Sequence, residues 1–387
     1  MALNDTPPTA RLEMLDFLRG VAILMVFVFH YYGHTYGVFR LPWAGNWPDW
    51  SSFDWASYRW LYFLRLGGDG VSLFFVLSGF CIHHACLQRR ARGQWQGVDG
   101  FYWTRFFRIV PPYLVAMLLF GCISGFGSWR NFLAHLTLTH SLFPDPKIFF
   151  GINASFWSLS VEWLLYLVYP LVLWSGRRLS APWLLLATLA CAWCFKRVLP
   201  ATEPLDLRRL PGFYLYEWWV GVYVADVWFH TRSPAFRRPA LLLTLLVPLW
   251  MMTNVFRPLN SVAWWIKPTL FAVVLDRALA MGGQAQRGWF RVFAHIGLIS
   301  YSMYLLHQPL MGLTTGPLLR VLGLPHSTIT MVTVALPATL LVLWGSAYLW
   351  YRLFELPSIA FGKRWWPVVA ATLPWRARNS SLPSEKI

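Results

Sequence analysis

Charge is scarce in this chain. Only 13% of its 387 residues are Asp, Glu, Lys or Arg, and just 16 are acidic. Soluble domains carry about 25% charged residues, so an ordinary soluble enzyme is excluded. Cysteine is scarce too. Cys81, Cys86, Cys122, Cys191 and Cys194 are an odd number, all in apolar runs, and read as small buried hydrophobes rather than a disulfide framework. Cys191 and Cys194 form a CxxC, but no second pair completes a zinc site, and no metal is expected. The chain has no G-x-S-x-G elbow, P-loop or G-x-G-x-x-G. Its opening, MALNDTPPTARLEMLDFLRG, lacks a basic n-region, so no cleavable signal peptide is expected and the first helix should stay in the membrane.

Apolar and aromatic residues are abundant. Hydrophobic residues make up 57%, with 25 Trp. This fits an integral membrane protein, whose amphipathic aromatics gather at bilayer interfaces. Lys and Arg total 33, for a formal net charge of +17. In a membrane chain that excess reads as basic cytoplasmic loops rather than nucleic-acid binding, and it favours the approach of anionic substrates.

A bilayer core needs about 20 apolar helical residues. Such runs predict ten spans: 17–36, 69–86, 109–126, 155–174, 181–196, 212–229, 239–256, 262–280, 293–313 and 329–351. The run 181–196 is short, and 262–280 carries Lys267 and Asp276. The Trp-rich stretch 37–68 fits an interfacial helix. The expected fold class is all-α, a polytopic integral membrane protein with both termini cytoplasmic. That orientation follows from the Lys/Arg bias, and the loop 196–211 (Lys196, Arg197, Arg208, Arg209) runs against it. Residues 1–361 are expected to form one transmembrane domain. A basic tail, 362–387, should follow, disordered at its end.

Ionisable groups inside spans are costly and ask for a reason. In the first span Asp16 and Arg19 are three apart and share a face. Arg19 and His30 are 11 apart, which returns to nearly the same face about 16 Å along the axis. A lone buried histidine such as His30 is more commonly an interhelical hydrogen-bond partner. Arg105 and Arg108, at i,i+3, present two guanidinium forks that suit phosphates, and equally suit positive-inside anchoring. Glu162 lies inside an apolar run at a depth similar to that of His30 and should be paired or protonated. Depth alone suggests that it meets His30; a structural polar bridge fits as well. In the ninth span Ser300, Tyr304 and His307 share a face, a pattern that also suits a satisfied histidine beside a kink at Pro309. His83 and His84 read as interfacial.

Taken together, LDFLRGVAILMVFVFH (15–30), FFVLSGF (74–80), RFFRIVPPY (105–113), SFWSLSVEW (155–163) and SYSMYLLHQP (300–309) resemble the membrane-bound acyltransferase 3 family, in the family's order. The resemblance implies transfer of an acyl group, usually acetyl, from cytoplasmic acyl-CoA to a glycan or other acceptor at a bacterial inner membrane. The family's Arg-x10-His motif falls on Arg19 and His30, its Arg-x-x-Arg motif on Arg105 and Arg108, and its WSLxxE glutamate on Glu162. By resemblance His30 is catalytic and the arginine pair holds the acyl-CoA. Asp16, Ser300, Tyr304 and His307 are then supporting or substrate-binding residues. Some members carry a hydrolase-like domain after the last span. About 36 residues follow the tenth span here, so direct transfer from the membrane domain is expected.

The implied partners are acetyl-CoA, a glycan or lipid-linked saccharide acceptor, and membrane lipids. His30 would act as general base or as transient acyl carrier, with Glu162 stabilising its charged form. Another class stays open: a proton-coupled transporter or lipid-linked glycan exporter. A bis-histidine haem protein fits less well, because His30 and His34 lie i,i+4 on one helix. No motif specifies the acceptor or an oligomeric state.

Overall fold

The computed structural model describes residues 8–36, 62–175, 180–198, 211–255, 259, 262–281 and 288–373. Among these, every regular element is helical. The longer helices are α1 (Pro8–Tyr36), α2 (Gly70–Ala91), α3 (Gly97–Ser124), α4 (Trp129–Leu136), α5 (Trp157–Ser175), α6 (Ala181–Val198) and α7 (Pro211–Thr231). They continue with α8 (Pro239–Val255), α9 (Ala263–Ala280), α10 (Gly288–Leu298), α11 (Ser300–Val321), α12 (Leu336–Trp350) and α13 (Leu356–Thr372). A 3-10 segment, Tyr62–Asp69, leads into α2.

Four helical stretches among the described residues are long and apolar enough to cross a membrane: Glu13–Thr35, Leu66–Ala91, Gly97–Ser124 and Met331–Thr372. Apart from residues 125–126 and Ile299, each of the ten expected runs falls on helix where it is described, but their limits differ. The third starts 12 residues earlier than hydropathy indicates, at Gly97 rather than 109. The ninth is two helices, α10 and α11, which meet at Ile299. The tenth runs through π-helical turns at Met331–Ala335 and Tyr351–Glu355 into α13. The tail expected from 362 therefore begins as helix, with Gly362 and Trp366 buried. Residues 374–387 and the Trp-rich stretch 37–61 lie outside the described residues.

Two close crossings hold the bundle together. A Cβ on Gly79 of α2 would lie 2.0 Å from the Trp218 carbonyl oxygen, and one on Gly221 of α7 would lie 2.0 Å from that of Val76. Likewise a Cβ on Gly297 of α10 would lie 1.6 Å from the Asp16 carbonyl oxygen on α1. Only glycine permits such backbone contact, the usual means of tight helix association in lipid. The crossing at Gly297 fixes α10 on α1, which accounts for the break in the ninth run.

Prolines inside these helices free carbonyls four residues back, and at two of them a side chain from another helix or loop takes the carbonyl up. Pro309 leaves the Leu305 carbonyl, which accepts from Asn153 Nδ2 at 3.2 Å. Pro111 leaves that of Phe107, which accepts from Ser358 Oγ. The charges in the eighth run are also satisfied. Lys267 Nζ donates to Asp69 at 2.7 Å, and Asp276 accepts from Trp228 Nε1 at 2.6 Å and from the backbone N–H of Ala235 at 2.8 Å. His83 is buried, 3.1 Å from the Tyr169 hydroxyl and 3.5 Å from Asp226.

Candidate active site

Helices α1, α2, α3, α5 and α11, with the end of α10, enclose about 890 Å³ of atom-free space, part of it open to solvent. Three guanidinium groups from two helices line it: Arg19 of α1 and Arg105 and Arg108 of α3. Glu162 of α5 lines it as well, with Ser78, Tyr166, Ser158, Ser300 and Tyr304. Six of the nine residues singled out by sequence thus share one cavity.

Each cation has its own surroundings. Arg19 Nη1 donates to Asp16 Oδ1 at 2.8 Å, the expected i,i+3 pair, and Nη2 lies 3.2 Å from Cys81 Sγ. Asp16 therefore aims Arg19. The Arg105 guanidinium carbon lies 5.9 Å from the Phe101 ring and 5.8 Å from the Tyr166 ring, within cation–π range. Its buried Nε has no hydrogen-bond partner among the described residues. Arg108 is exposed. Three cations against one lining carboxylate suit an anionic ligand.

Glu162 Oε1 accepts from Ser78 Oγ at 2.6 Å and from the Tyr166 hydroxyl, one turn further along α5. Trp218 Nε1 donates to the same Ser78 Oγ at 3.3 Å. The expected pairing of Glu162 with His30 is not formed. Equal depth sets no rotation about the helix axis, and α5 turns Glu162 towards α2.

His30 meets His307 instead. His307 Nε2 lies 3.2 Å from His30 Nδ1, and the ring centroids are 4.9 Å apart at 57°. His30 Nδ1 is also 2.9 Å from the Val26 carbonyl, and His307 Nδ1 is 2.8 Å from that of Tyr304. His307 is fully buried, whereas His30 is half-buried. Neither ring lines the cavity. Tyr304 stands between: it lines the cavity, and its ring centroid lies 5.3 Å from that of His307. Its hydroxyl is fixed by Ser158 Oγ at 2.6 Å and by the Ser155 carbonyl at 2.9 Å.

Several site residues escaped the sequence reading. Tyr166 lies four residues after Glu162, and that spacing alone could have flagged it. Ser78 lies in the FFVLSGF run, where no spacing marks it as a partner of Glu162. Glu355, buried at the end of a π-helical turn, accepts from Ser302 Oγ at 2.8 Å. A second histidine pair was not anticipated. His135 of α4 and His140 stack with centroids 3.9 Å apart and planes at 4°, both fully buried, in the loop between α3 and α5. The backbone at Leu138 makes the turn between them at φ 55°.

The model of the acyltransferase 3 family, described as an acyltransferase domain, matches residues 12–351. The chain belongs to this family. It is similar to acyltransferase MdmB of Streptomyces mycarofaciens, 28% identical over 278 residues, which cover 64% of this chain and 69% of that one. It is also similar to peptidoglycan O-acetyltransferase OatA of Listeria monocytogenes, 23% identical over 377 residues, which cover 89% of this chain but 55% of that one. No solved structure matches. Membership, with the apolar helices, makes this an integral membrane protein of an acyltransferase family.

Proposed function

We propose that the chain moves an acyl group, most readily acetyl, from cytoplasmic acyl-CoA to a hydroxyl of a cell-surface or lipid-linked saccharide, at a bacterial inner membrane with both termini cytoplasmic. One arrangement carries this reading: a cavity lined by Arg19, Arg105, Arg108 and Tyr304, with His307 against Tyr304 and His30 against His307. Phosphates of the donor bind Arg105 and Arg108 in charge-assisted contacts. The pantetheine arm runs inward past Ser78 and Ser158 towards Tyr304. His30 takes the proton of the acceptor hydroxyl, the hydroxyl oxygen attacks the thioester carbon, and the C–S bond breaks. The two relatives, an acyltransferase and an O-acetyltransferase by name, agree with this chemistry.

The direct test is acetyl-CoA binding to detergent-purified protein, wild type beside Arg105→Ala/Arg108→Ala. Each charged hydrogen bond contributes about 1.5–3 kcal/mol, so losing one from each arginine should weaken binding by at least about 100-fold. Wild-type affinity in a folded double variant overturns the donor site. Solute flux into proteoliposomes without acetyl-CoA consumption would point to a transporter.

A further inference from the structure

Two imidazoles that meet nitrogen to nitrogen must divide their protons, and the surroundings of this pair leave one division. His307 Nδ1 faces the Tyr304 carbonyl at 2.8 Å. A carbonyl only accepts, so this nitrogen carries the N–H. In a neutral His307 the other nitrogen, Nε2, then offers a lone pair. That lone pair faces His30 Nδ1 at 3.2 Å. His30 Nδ1 also faces a carbonyl, that of Val26, at 2.9 Å. Both neighbours of His30 Nδ1 are acceptors, so Nδ1 carries the hydrogen and the lone pair of His30 resides on Nε2. No hydrogen bond reaches His30 Nε2 among the described residues, and the side chain is half-buried rather than sealed.

We infer that His307 is a positioning residue that holds His30 with Nε2 as its reactive nitrogen and shares the positive charge when that nitrogen takes a proton. The inference rests on the acyl-transfer reading for its consequence, though not for its geometry. The Val26 carbonyl orients the ring but is not a base. The imidazole of His307 can both accept the Nδ1 hydrogen and draw it closer as charge builds on His30. During transfer the acceptor hydroxyl gives its proton to His30 Nε2 and its oxygen bonds the acyl carbon. The C–S bond breaks, and His30 Nε2 returns the proton to the departing CoA thiolate. At no point does His307 bond to the acyl group or the donor.

The position is built to be rigid. Tyr304, whose carbonyl fixes His307, is itself pinned through its hydroxyl by Ser158 and the Ser155 carbonyl. Pro309 follows two residues later, and the carbonyl it frees is taken by Asn153. The ring of His307 is thus held from both sides along α11.

The test uses the full chain in detergent, with His307→Leu and His307→Gln, and needs no acceptor other than water. Diethyl pyrocarbonate acylates unprotonated imidazole nitrogen, and mass spectrometry reports its rate at His30 alone. In His307→Leu this rate should fall about tenfold. Glutamine supplies an amide oxygen where His307 supplies Nε2, so His307→Gln should recover part of it. Acetyl-CoA turnover to water should follow, with kcat lowered and KM for acetyl-CoA within about twofold. Wild-type labelling of His30 in folded His307→Leu overturns the inference, as does a change confined to KM. If wild type neither binds nor turns over acetyl-CoA, the acyl-transfer reading fails, while the labelling rates still decide the role of His307.

Discussion

The molecule holds two histidine pairs, built in opposite ways. His30 and His307 come from α1 and α11 and meet edge to edge, nitrogen to nitrogen at 3.2 Å. His135 and His140 lie five positions apart and meet face to face, 3.9 Å between centroids. In the first pair one ε nitrogen has no hydrogen bond among the described residues, on a half-buried ring. In the second, both rings are sealed, and His135 Nε2 has no partner among the described residues. Chemistry at an imidazole needs a nitrogen a substrate can reach. The first pair leaves one such nitrogen on a half-buried ring outside the cavity lining, while the second is sealed in the loop between α3 and α5. Burial of a histidine pair is no sign of function; which edges remain open is.

The strongest test of this division is His30→Ala beside His140→Phe. His30→Ala should reduce acyl transfer by at least about 10³-fold, within the range that general-base groups supply. Acetyl-CoA affinity should stay within about twofold, because His30 does not line the cavity. His140→Phe keeps a flat ring in the stack and should leave transfer within about twofold. Transfer rates and donor binding on both variants decide the matter. A loss of transfer in folded His140→Phe breaks the comparison.

Acid should act on the second pair. Burial pushes His135 down to about 4, against a weaker opposing hydrogen bond to the Asn131 carbonyl. Burial, with the charge of His135 added, pushes His140 down to about 3. An unfolded histidine titrates near 6.5, so between these values the unfolded loop binds protons that the folded loop does not. Their packing therefore contributes its full stability above about pH 6.5, and that contribution is lost as pH falls towards 4. For the first proton the change is about 3 kcal/mol. Hydrogen–deuterium exchange over residues 129–150 should show protection falling between pH 7.5 and pH 5, and His140→Phe should flatten the trend. Constant protection in wild type would count against the buried pair.

How much of this was legible follows from what is local. The Asp16–Arg19 pair is arithmetic on one helix. The faces expected to join Arg19 with His30, and Ser300 and Tyr304 with His307, brought neither histidine into the cavity that Arg19, Ser300 and Tyr304 line. Arg105 and Arg108 reach the same cavity because i,i+3 fixes their common side. What failed was contact between helices. His30 and His307 are 277 positions apart, and no spacing rule joins them. Glu162 was assigned to His30 by depth, but rotation about α5 decides its partner. His135 and His140 meet because Leu138 adopts a left-handed backbone that non-glycine residues seldom take. Gly297 set the break in the ninth run through the backbone of another helix, which hydropathy does not register.

The smallest expected effect belongs to Glu162, and it sharpens the boundary of the reactive pair. Glu162 accepts two hydroxyls, from Ser78 and Tyr166, and touches neither histidine. Glu162→Gln keeps an oxygen for those hydroxyls and removes the charge. A charge-assisted hydrogen bond exceeds a neutral one by about 1 kcal/mol, so transfer should fall about fivefold. Glu162→Leu leaves both hydroxyls without their acceptor and should cost more, in Tm as well as in rate, since each stranded buried group costs about 1–3 kcal/mol. This graded pair, measured as transfer rate and melting temperature, separates a carboxylate that shapes the cavity from one in the proton path. A loss in Glu162→Gln as complete as in His30→Ala, with melting unchanged, would put Glu162 in that path. The reactive unit would then extend from the histidine pair into the cavity itself.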